Sequence, residues 1–350
     1  MPHIDIGSRR IGPGQPVYVI AEMSANHNQD FAAAVKIVEA AKACGADAIK
    51  LQTYTADTMT IASDRPDFLV GAGTPWEGQK LYDLYTQAST PWEWQAKLQA
   101  VAVRLGLDFF STAFDDRAVE FLEELRVPVH KVASFEIVDL GLIRKMASTG
   151  KPMIISTGMS SLEEIDEAVK TARDAGARQI ALLKCTSAYP AAPEDMNLLT
   201  IPHLGATFGT AVGLSDHTMG TAVPVAAVAL GACIVEKHFT LSRANPGPDS
   251  AFSLEPAEFK EMVGAIRIAE AALGQVKYGG GAREEKSKVF RRSLFVVKDV
   301  KAGEAFTPDN VRSIRPGYGL HTRHLPEVLG KPAGHDVVAG TPMSWDLVRR

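Results

Sequence analysis

Short apolar runs rich in Val and Ile alternate along the chain with longer amphipathic segments that carry Glu, Lys and Arg. A short apolar run favours a buried strand, whereas apolar positions that recur every three or four residues favour a helix. Eight strand–helix units in succession predict an α/β chain folded as a (β/α)8 barrel. The predicted strands are 18–21, 48–52, 108–111, 129–133, 153–156, 180–184, 211–214 and 233–236.

Helical patterns fill the intervals between these strands. Gly45, Gly106 and Gly176 follow three of the patterns, at positions where a helix commonly ends. We expect the last helix of the barrel to begin at Pro256, with Ser253 as its N-cap. The predicted helices include 31–44, 93–105, 118–125, 162–175 and 256–273.

Two segments break the alternation. The stretch 54–91 is long for a loop between a strand and a helix and holds Trp76, Tyr82 and Tyr85, so it could cover a substrate or be a simple elaboration. Beyond a glycine-rich stretch, a charged segment precedes a β-rich tail that begins at Ser293. We therefore predict a TIM-barrel domain over 1–281, a linker over 282–290 and a small β-rich domain over 291–350.

The composition fits this organisation, because 350 residues suit a barrel of about 250 residues plus an appendage. Hydrophobic residues make up 46% of the chain and charged residues 22%, as in globular proteins with a large core. A net charge of −4 and the lack of a basic run argue against nucleic acid. Three scattered cysteines predict reduced thiols. The sequence shows neither a signal peptide nor a membrane-spanning run, so we expect a cytoplasmic protein.

Polar clusters at 215–217 and 236–238 end the last two predicted strands. The carboxyl ends of parallel barrel strands meet at one mouth, so the neutral imidazoles of His217 and His238 could share a divalent metal there. Either histidine alone could be an ordinary surface or core residue. The matched positions, each beside a carboxylate, favour metal ligands. Asp216 could support His217 or cap the following helix.

Two lysines, Lys50 and Lys131, lie at the ends of the second and fourth predicted strands. A lysine inside a barrel is costly unless it meets an anion. Because hydroxyl residues end other strands, the pair favours a phosphorylated or carboxylated substrate, although either lysine alone could extend to solvent. Other polar residues at or just beyond strand ends are Glu22, Gln52, Thr112, Ser134, Glu136, Ser156, Tyr189 and Ser215.

Taken together, these motifs resemble the sialic acid synthase (NeuB-like) family over essentially the whole chain. The resemblance rests on segments 21–27, 81–85, 213–218, 236–240 and 247–249. The tail, at 291–294 and 314–317, resembles the antifreeze-like (SAF) domain that these enzymes carry. Segments that resemble the pseudaminic acid synthase branch more than the N-acetylneuraminate branch are 50–54, 131–136, 185–190 and 248–254.

The resemblance implies that phosphoenolpyruvate condenses with 2,4-diacetamido-2,4,6-trideoxy-L-altrose and water, giving pseudaminic acid and phosphate. It implies Mn²⁺ or Mg²⁺ on His217 and His238, as Lewis acid and template. Glu136 would act as acid/base or position water, and Glu22 would orient sugar hydroxyls, or the reverse; with Lys131 they are the candidate catalytic residues. The phosphate and carboxylate would be held by Lys50, Lys131, Thr112, Ser134, Ser156 and Ser215. The sugar would be held by Glu22, Gln52, Tyr189, Asp249 and Arg315.

The family also places an arginine that matches Arg315 in the active site of the other subunit, which implies a homodimer with swapped tail domains. An ordinary surface arginine is the alternative. Three other functions stay open. The chain could make N-acetylneuraminate or legionaminate by the same chemistry, it could be a Schiff-base aldolase that uses Lys131, or it could be a non-enzymatic carbohydrate- or ice-binding protein built around its tail.

Overall fold

The computed structural model describes residues 2–349. The first residue of the predicted barrel range and the last residue of the predicted tail range lie outside the described residues. The chain divides into two compact units between Gly274 and Gln275, earlier than residue 281, where the barrel domain is predicted to end. Each unit has its own hydrophobic core.

The first unit contains a closed barrel of eight parallel strands, which confirms the predicted (β/α)8 fold. The strands follow one another around the barrel in chain order, and the last pairs with the first. Each predicted strand overlaps an observed one. After an N-terminal hairpin of β1 (Ile4–Ile6) and β2 (Arg9–Ile11), the barrel strands are β3 (Tyr18–Glu22), β4 (Ala48–Thr53), β5 (Asp108–Ala113), β6 (His130–Val132), β7 (Met153–Ser156), β8 (Ile180–Cys185), β9 (Ala211–Asp216) and β10 (Ile234–His238).

Helices connect the strands and pack apolar faces against them. The α-helices of this unit are α1 (Phe31–Ala43), α2 (Ala56–Met59), α3 (Leu81–Ala88), α4 (Trp92–Arg104), α5 (Asp116–Glu124), α6 (Leu140–Ala147), α7 (Leu162–Asp174), α8 (Thr200–Phe208), α9 (Ala222–Ala229) and α10 (Pro256–Leu273). Short 3-10 turns lie at Pro66–Phe68, Glu136–Val138, Pro193–Asp195 and Ser250–Phe252.

Side chains at the helix ends explain why the helices begin and end where they do. The Asp30 carboxylate accepts from the Ala32 amide at the start of α1, and Gly45 follows α1 with a φ of +90° that suits glycine. The prediction of Ser253 as N-cap of α10 is wrong, because Glu255 occupies that position. The Ser253 hydroxyl instead donates to the carbonyl of Asp249, at 2.7 Å.

Burial is distributed unevenly along the barrel axis. The N-terminal hairpin adds buried isoleucines to the main core, and Arg9 ties it to Asp108 at the start of β5, with Nε and Oδ2 3.1 Å apart. Sequence analysis did not predict this hairpin. Buried polar side chains, including Lys50, Lys131 and Glu236, lie toward the carboxyl ends of the strands. The barrel therefore carries an apolar core along its length and a polar cluster at one end.

The second unit is small and contains the antiparallel pair β11 (Ser293–Val296) and β12 (Val311–Ile314). Its core includes Leu294 and Phe306, both fully buried. The segment predicted as a linker is helical, with α11 (Ala282–Glu285) followed by a 3-10 turn (Lys286–Phe290). The remaining elements are α12 (Leu325–Val328) and 3-10 turns at Thr322–His324 and Trp345–Leu347. Across residues 2–349, no helix is long and apolar enough to cross a membrane.

Candidate active site

A cavity with about 370 Å³ of empty space, part of it open to solvent, lies at the carboxyl ends of the barrel strands. Every barrel strand, or the residues directly after it, contributes at least one lining side chain. The lining residues are Glu22, Lys50, Gln52, Thr112, Phe114, Lys131, Ala133, Ser134, Ser156, Cys185, Tyr189, Ser215, His217, Glu236 and His238. The predicted site residues that do not line this cavity are Glu136, Asp249 and Arg315.

Strand alternation explains which side chains face the cavity. Successive residues of a strand point to opposite faces, so residues two apart share a face. Lys50 and Gln52 both line the cavity from β4, and Glu236 and His238 both line it from β10. Lys237, between the last two, does not.

Lys50 is buried among charged and polar partners. Its Nζ lies 2.6 Å from Glu22 Oε2 and 3.5 Å from Glu236 Oε1, and it donates to the Thr112 hydroxyl at 3.1 Å. Burial opposes the charge, but the two carboxylates outweigh burial and raise the pKa of Lys50 above its ordinary value. Lys50 therefore stays an ammonium inside the cavity.

Lys131 is equally buried, but its hydrogen-bond partners are neutral. Its Nζ donates to the Val132 carbonyl at 2.9 Å and to the Ser156 hydroxyl at 2.7 Å. Burial lowers the pKa of Lys131, and attraction to Glu236 only partly offsets this. An anion beside Lys131 would relieve the cost of burying its charge.

Two carboxylates face these lysines and differ in protonation behaviour. Burial raises the pKa of Glu22 to about 7 although Lys50 opposes the shift. Burial also acts on Glu236, but Lys131 and Lys50 outweigh it and hold the pKa of Glu236 below its ordinary value. Two environments thus push the pKa values of neighbouring carboxyls apart, a common arrangement where proton transfer occurs.

Glu136 follows β6 and begins the turn Glu136–Val138. Burial raises the pKa of Glu136 to about 7, although Lys131 opposes the shift. Its Oε2 is buried and has no hydrogen-bond partner within residues 2–349. A carboxyl that is half-protonated at neutral pH and has an unused oxygen suits an acid/base role.

The two predicted metal ligands lie side by side. The ring centroids of His217 and His238 are 5.3 Å apart, with an interplanar angle of 55°. His217 Nδ1 lies 2.8 Å from the Thr186 carbonyl, which can only accept, so Nδ1 carries a proton and Nε2 is the atom left to bind a cation. Burial lowers the pKa of His238 well below its usual value, and His238 Nδ1 has no hydrogen-bond partner in the described part of the chain.

These two imidazoles fit a divalent cation as ligands. Burial lowers the pKa of His217, but the Cys185 thiol and the Thr186 carbonyl raise it by more, so cations and protons compete for this imidazole. No group of three or more His, Cys, Asp or Glu side chains within residues 2–349 could hold a metal. The protein would supply two nitrogens and leave the other positions to water and substrate, as catalytic sites do.

A chain of hydrogen bonds joins the cavity to Asp249. Gln52 Nε2 donates to Glu22 Oε1 at 3.2 Å and to the Ser24 hydroxyl at 2.9 Å, and that hydroxyl donates to Asp249 in turn. Ser24 adopts a positive φ of 46°, which is uncommon for a residue with a side chain. Asp249 therefore acts on the cavity through Ser24 and Gln52.

Aromatic residues border the other side of the cavity. The Tyr189 ring packs against His217 with ring centroids 4.4 Å apart and planes tilted by 45°, and the ring centroids of Trp76 and Tyr189 are 5.6 Å apart. The Trp76 indole donates to the Pro248 carbonyl at 2.8 Å. The long segment 54–91 thus reaches the mouth of the barrel through Trp76.

Several residues that line or support the cavity were not predicted from the sequence as site residues. Glu236, Cys185 and Phe114 line the cavity, and Ser24 supports it. Glu236 could have been found, because alternation places it on the same face of β10 as His238. Arg315 lies in the second unit, directly after β12, with its side chain exposed.

Known proteins resemble this chain in sequence and fold. The family model described as the NeuB family matches residues 37–278, and the SAF domain model matches residues 291–349. A pseudaminic acid synthase of Helicobacter pylori is 46% identical over 337 residues, which cover 96% of this chain and 99% of that relative. A pseudaminic acid synthase of Campylobacter jejuni (serotype O:23/36) is 45% identical over 324 residues, with 93% and 94% covered.

More distant relatives carry other names. An N,N'-diacetyllegionaminic acid synthase of Legionella pneumophila is 35% identical over 347 residues, which cover 98% of this chain and 97% of that relative. Among solved structures, the spore coat polysaccharide biosynthesis protein spsE of Bacillus subtilis matches with a TM-score of 0.68 at 34% identity, covering 99% of both chains. The likeness therefore extends over the whole chain.

Proposed function

The chain belongs to the NeuB family, and on that premise we propose that it is a pseudaminic acid synthase. It condenses phosphoenolpyruvate with 2,4-diacetamido-2,4,6-trideoxy-L-altrose and water, and releases phosphate. The observation that carries the proposal is 46% and 45% identity to two pseudaminic acid synthases over 96% and 93% of the chain, against 35% to a legionaminic acid synthase.

The phosphoenolpyruvate half of the cavity contains the two buried lysines. Their ammonium groups meet the phosphate and carboxylate, and hydroxyls complete the hydrogen bonds. Lys131 supports this assignment, because its partners in the protein are neutral and an anion would balance its charge. The proposed ligands are Lys50, Lys131, Thr112, Ser134, Ser156 and Ser215.

A divalent cation, Mn²⁺ or Mg²⁺, would be held by His217 and His238. Bound there, it would supply Lewis acidity and a template for the sugar aldehyde. The tautomer of His217 supports this site, because the Thr186 carbonyl leaves Nε2 for a cation.

Carboxyl groups of the chain would carry out proton transfer and orient the sugar. C3 of phosphoenolpyruvate bonds to the aldehyde carbon, water adds at C2, and the C2–O bond to phosphate breaks. The sugar oxygen gains a proton, the attacking water loses one as it adds to C2, and its second proton leaves with the phosphate as the C2 ketone forms. Glu136 takes the proton of the water, which its pKa of about 7 and its unused Oε2 permit. Glu22 orients the sugar hydroxyls.

The sugar itself would contact Gln52 and Tyr189, and Asp249 would act on it through Ser24 and Gln52. Gln52 is held by Ser24, which also bonds Asp249. We expect Ser24→Ala to raise KM for the sugar about 10-fold, the equivalent of 1.4 kcal/mol, because Gln52 loses its anchor. KM for phosphoenolpyruvate should stay within about twofold. Steady-state kinetics with each substrate varied in turn checks this, and equal changes in both KM values would contradict it.

A homodimer with exchanged tails would complete the site with Arg315. Exposed apolar side chains occur in the segments that follow four successive strands, β6 to β9, and a second copy's tail would cover them: Phe135, Met159, Leu199 and Met219. Arg315 is exposed and available to such a contact.

We also propose a cytoplasmic location, which the three buried, unpaired cysteines support.

Arg315→Ala should lower kcat/KM for the sugar about 10–100-fold without changing the melting temperature, because the exposed guanidinium supports substrate and not the fold. Mixing this variant with a dimeric variant inactivated at Lys131 should restore part of the activity through mixed dimers. If Arg315→Ala turns over as fast as wild type, the tail domain takes no part in catalysis.

The deciding experiment measures phosphate release from phosphoenolpyruvate with the altrose-configured sugar, with and without a chelator, followed by the mass of the product. We expect release that the chelator abolishes and Mn²⁺ restores. Release only with sugars of the neuraminate or legionaminate pathways would favour those synthases. Inactivation by borohydride in the presence of pyruvate would favour a Schiff base on Lys131, whose pKa burial lowers.

A further inference from the structure

A buried ion pair joins the two strands that carry the proposed metal ligands. Asp216 and Lys237 are 1% and 0% exposed, and their Oδ2 and Nζ atoms lie 2.5 Å apart. They are direct partners in the parallel ladder between β9 and β10. Each residue immediately precedes one of the two histidines, His217 or His238. The ion pair therefore holds the ends of β9 and β10 together directly beside the two histidines.

The pair does not belong to the cavity itself. Ser215 and His217, at the end of β9, line the cavity, and so do Glu236 and His238 of β10. Asp216 and Lys237 do not line it. Alternation turns the intervening side chains to the outer face of the barrel. Neither charge is therefore placed to touch substrate or cation.

The same two side chains also shape the turn that contains His217. Asp216 Oδ1 accepts from the Thr218 amide and from the Thr218 hydroxyl, both at 2.9 Å. Lys237 Nζ also donates to the Thr218 carbonyl. The residues on both sides of His217 are thus tied to β10, and the His217 ring is fixed from the β8 side by Thr186.

Stability alone gives a weak reason for charges at this place. Two ions in the barrel wall lose their hydration, and an apolar pair of similar volume is often as stable. Charge-assisted hydrogen bonds, however, fix geometry more sharply than apolar packing does. Removing a residue that orients a metal ligand commonly weakens metal binding by about 10–100-fold.

We propose that Asp216 and Lys237 form a positioning pair that sets the separation and orientation of His217 and His238 for a shared divalent cation. This role rests on the proposed metal-dependent function. It makes the pair part of the apparatus for metal binding although neither residue contacts the metal.

The test uses the full chain, freed of metal with a chelator and titrated with Mn²⁺ alone. The double variant Asp216→Asn/Lys237→Met removes both charges together, so that no ion is left buried without a partner, and Asn keeps an acceptor for Thr218. We expect its Kd for Mn²⁺, measured by electron paramagnetic resonance of the free ion, to rise about 10–100-fold. Its melting temperature should match or exceed that of wild type.

A matched control lies at the other end of the barrel. Asp47 directly precedes β4, and its Oδ2 is 3.2 Å from Arg267 Nη2. Asp47→Asn/Arg267→Met should leave the Kd for Mn²⁺ unchanged. An unchanged Kd in the Asp216/Lys237 double variant overturns the positioning role alone. A wild-type chain that binds no Mn²⁺ overturns the proposed metal site and the positioning role together.

A second variant applies if the double variant does not fold. Lys237→Arg keeps the charge but replaces a compact ammonium with a wider planar group, which shifts the strand ends. The Kd for Mn²⁺ should again rise while the chain stays folded. A folded Lys237→Arg variant with wild-type affinity overturns the proposal.

Discussion

We expect Lys131→Met to lower kcat/KM for phosphoenolpyruvate by about 10²–10⁴-fold and to leave the chain no less stable. Lys131 donates to the Val132 carbonyl and the Ser156 hydroxyl, so Met removes a buried charge without leaving another ion unpaired beside it. Glu236 keeps Lys50, 3.5 Å away. The substrate loses hydrogen bonds to a charged donor, each worth about 1.5–3 kcal/mol. Steady-state kinetics and thermal unfolding measure the two effects separately.

Lys184 provides the control for this substitution. It is 8% exposed, and its Nζ donates to the Cys185 carbonyl at 2.7 Å and to the Thr186 hydroxyl at 3.2 Å. Burial lowers the pKa of Lys184 as it lowers that of Lys131, but Lys184 does not line the cavity. Lys184→Met should therefore change stability in the same direction and leave kcat/KM within about twofold. Wild-type kcat/KM in Lys131→Met would refute the anion site.

The fold was predictable because the barrel strands are almost entirely buried and most of them begin with or contain an apolar run. The predicted strand 211–214 stops before the end of β9, and 233–236 stops before the end of β10. Both predictions end near the first polar residues, yet the strands continue because those residues are buried at the cavity mouth. The N-terminal hairpin was missed because two three-residue strands carry too little pattern to predict.

The candidate site was predictable where it lies on strands. Eight parallel strands share one carboxyl end, so polar residues at strand ends were expected to meet, and the family resemblance that the motifs predicted is confirmed. The roles assigned to individual residues stay predictions. Ser24 could not be found in this way, because it lies in a loop and bonds Asp249, a residue 225 positions away. Contacts between loops follow no local periodicity.

Glu136→Gln should lower kcat by about 10²–10⁴-fold, because the amide cannot take a proton from the attacking water. With a pKa of about 7, Glu136 becomes ionised as the pH rises through neutrality, so wild-type activity should rise across this range. Glu22 has a pKa of about 7 as well, so the rise should become less steep in the variant and not vanish. An identical pH profile in both proteins would contradict the role of Glu136 as base.

The same substitution should change stability in a direction fixed by the pKa. Burial raises the pKa of Glu136 from 4.5 to about 7 on folding, so the folded chain binds this proton more tightly than the unfolded chain. That stabilisation is fully present below the unfolded pKa and is lost as the pH rises through the folded pKa. Glutamine does not titrate, so Glu136→Gln should gain about 2 kcal/mol relative to wild type between about pH 5.5 and about pH 8.

Chemical denaturation at these two pH values measures the gain. Glu163→Gln is the control, because Glu163 is exposed and backbone hydrogen bonding lowers its pKa, which places its titration below this window. Its stability relative to wild type should therefore stay constant from the lower pH to the higher. If the difference in free energy of unfolding between Glu136→Gln and wild type is also the same at both pH values, the Glu136 carboxyl is ionised at both. The buried, half-protonated group that the proposed water activation requires would then be missing.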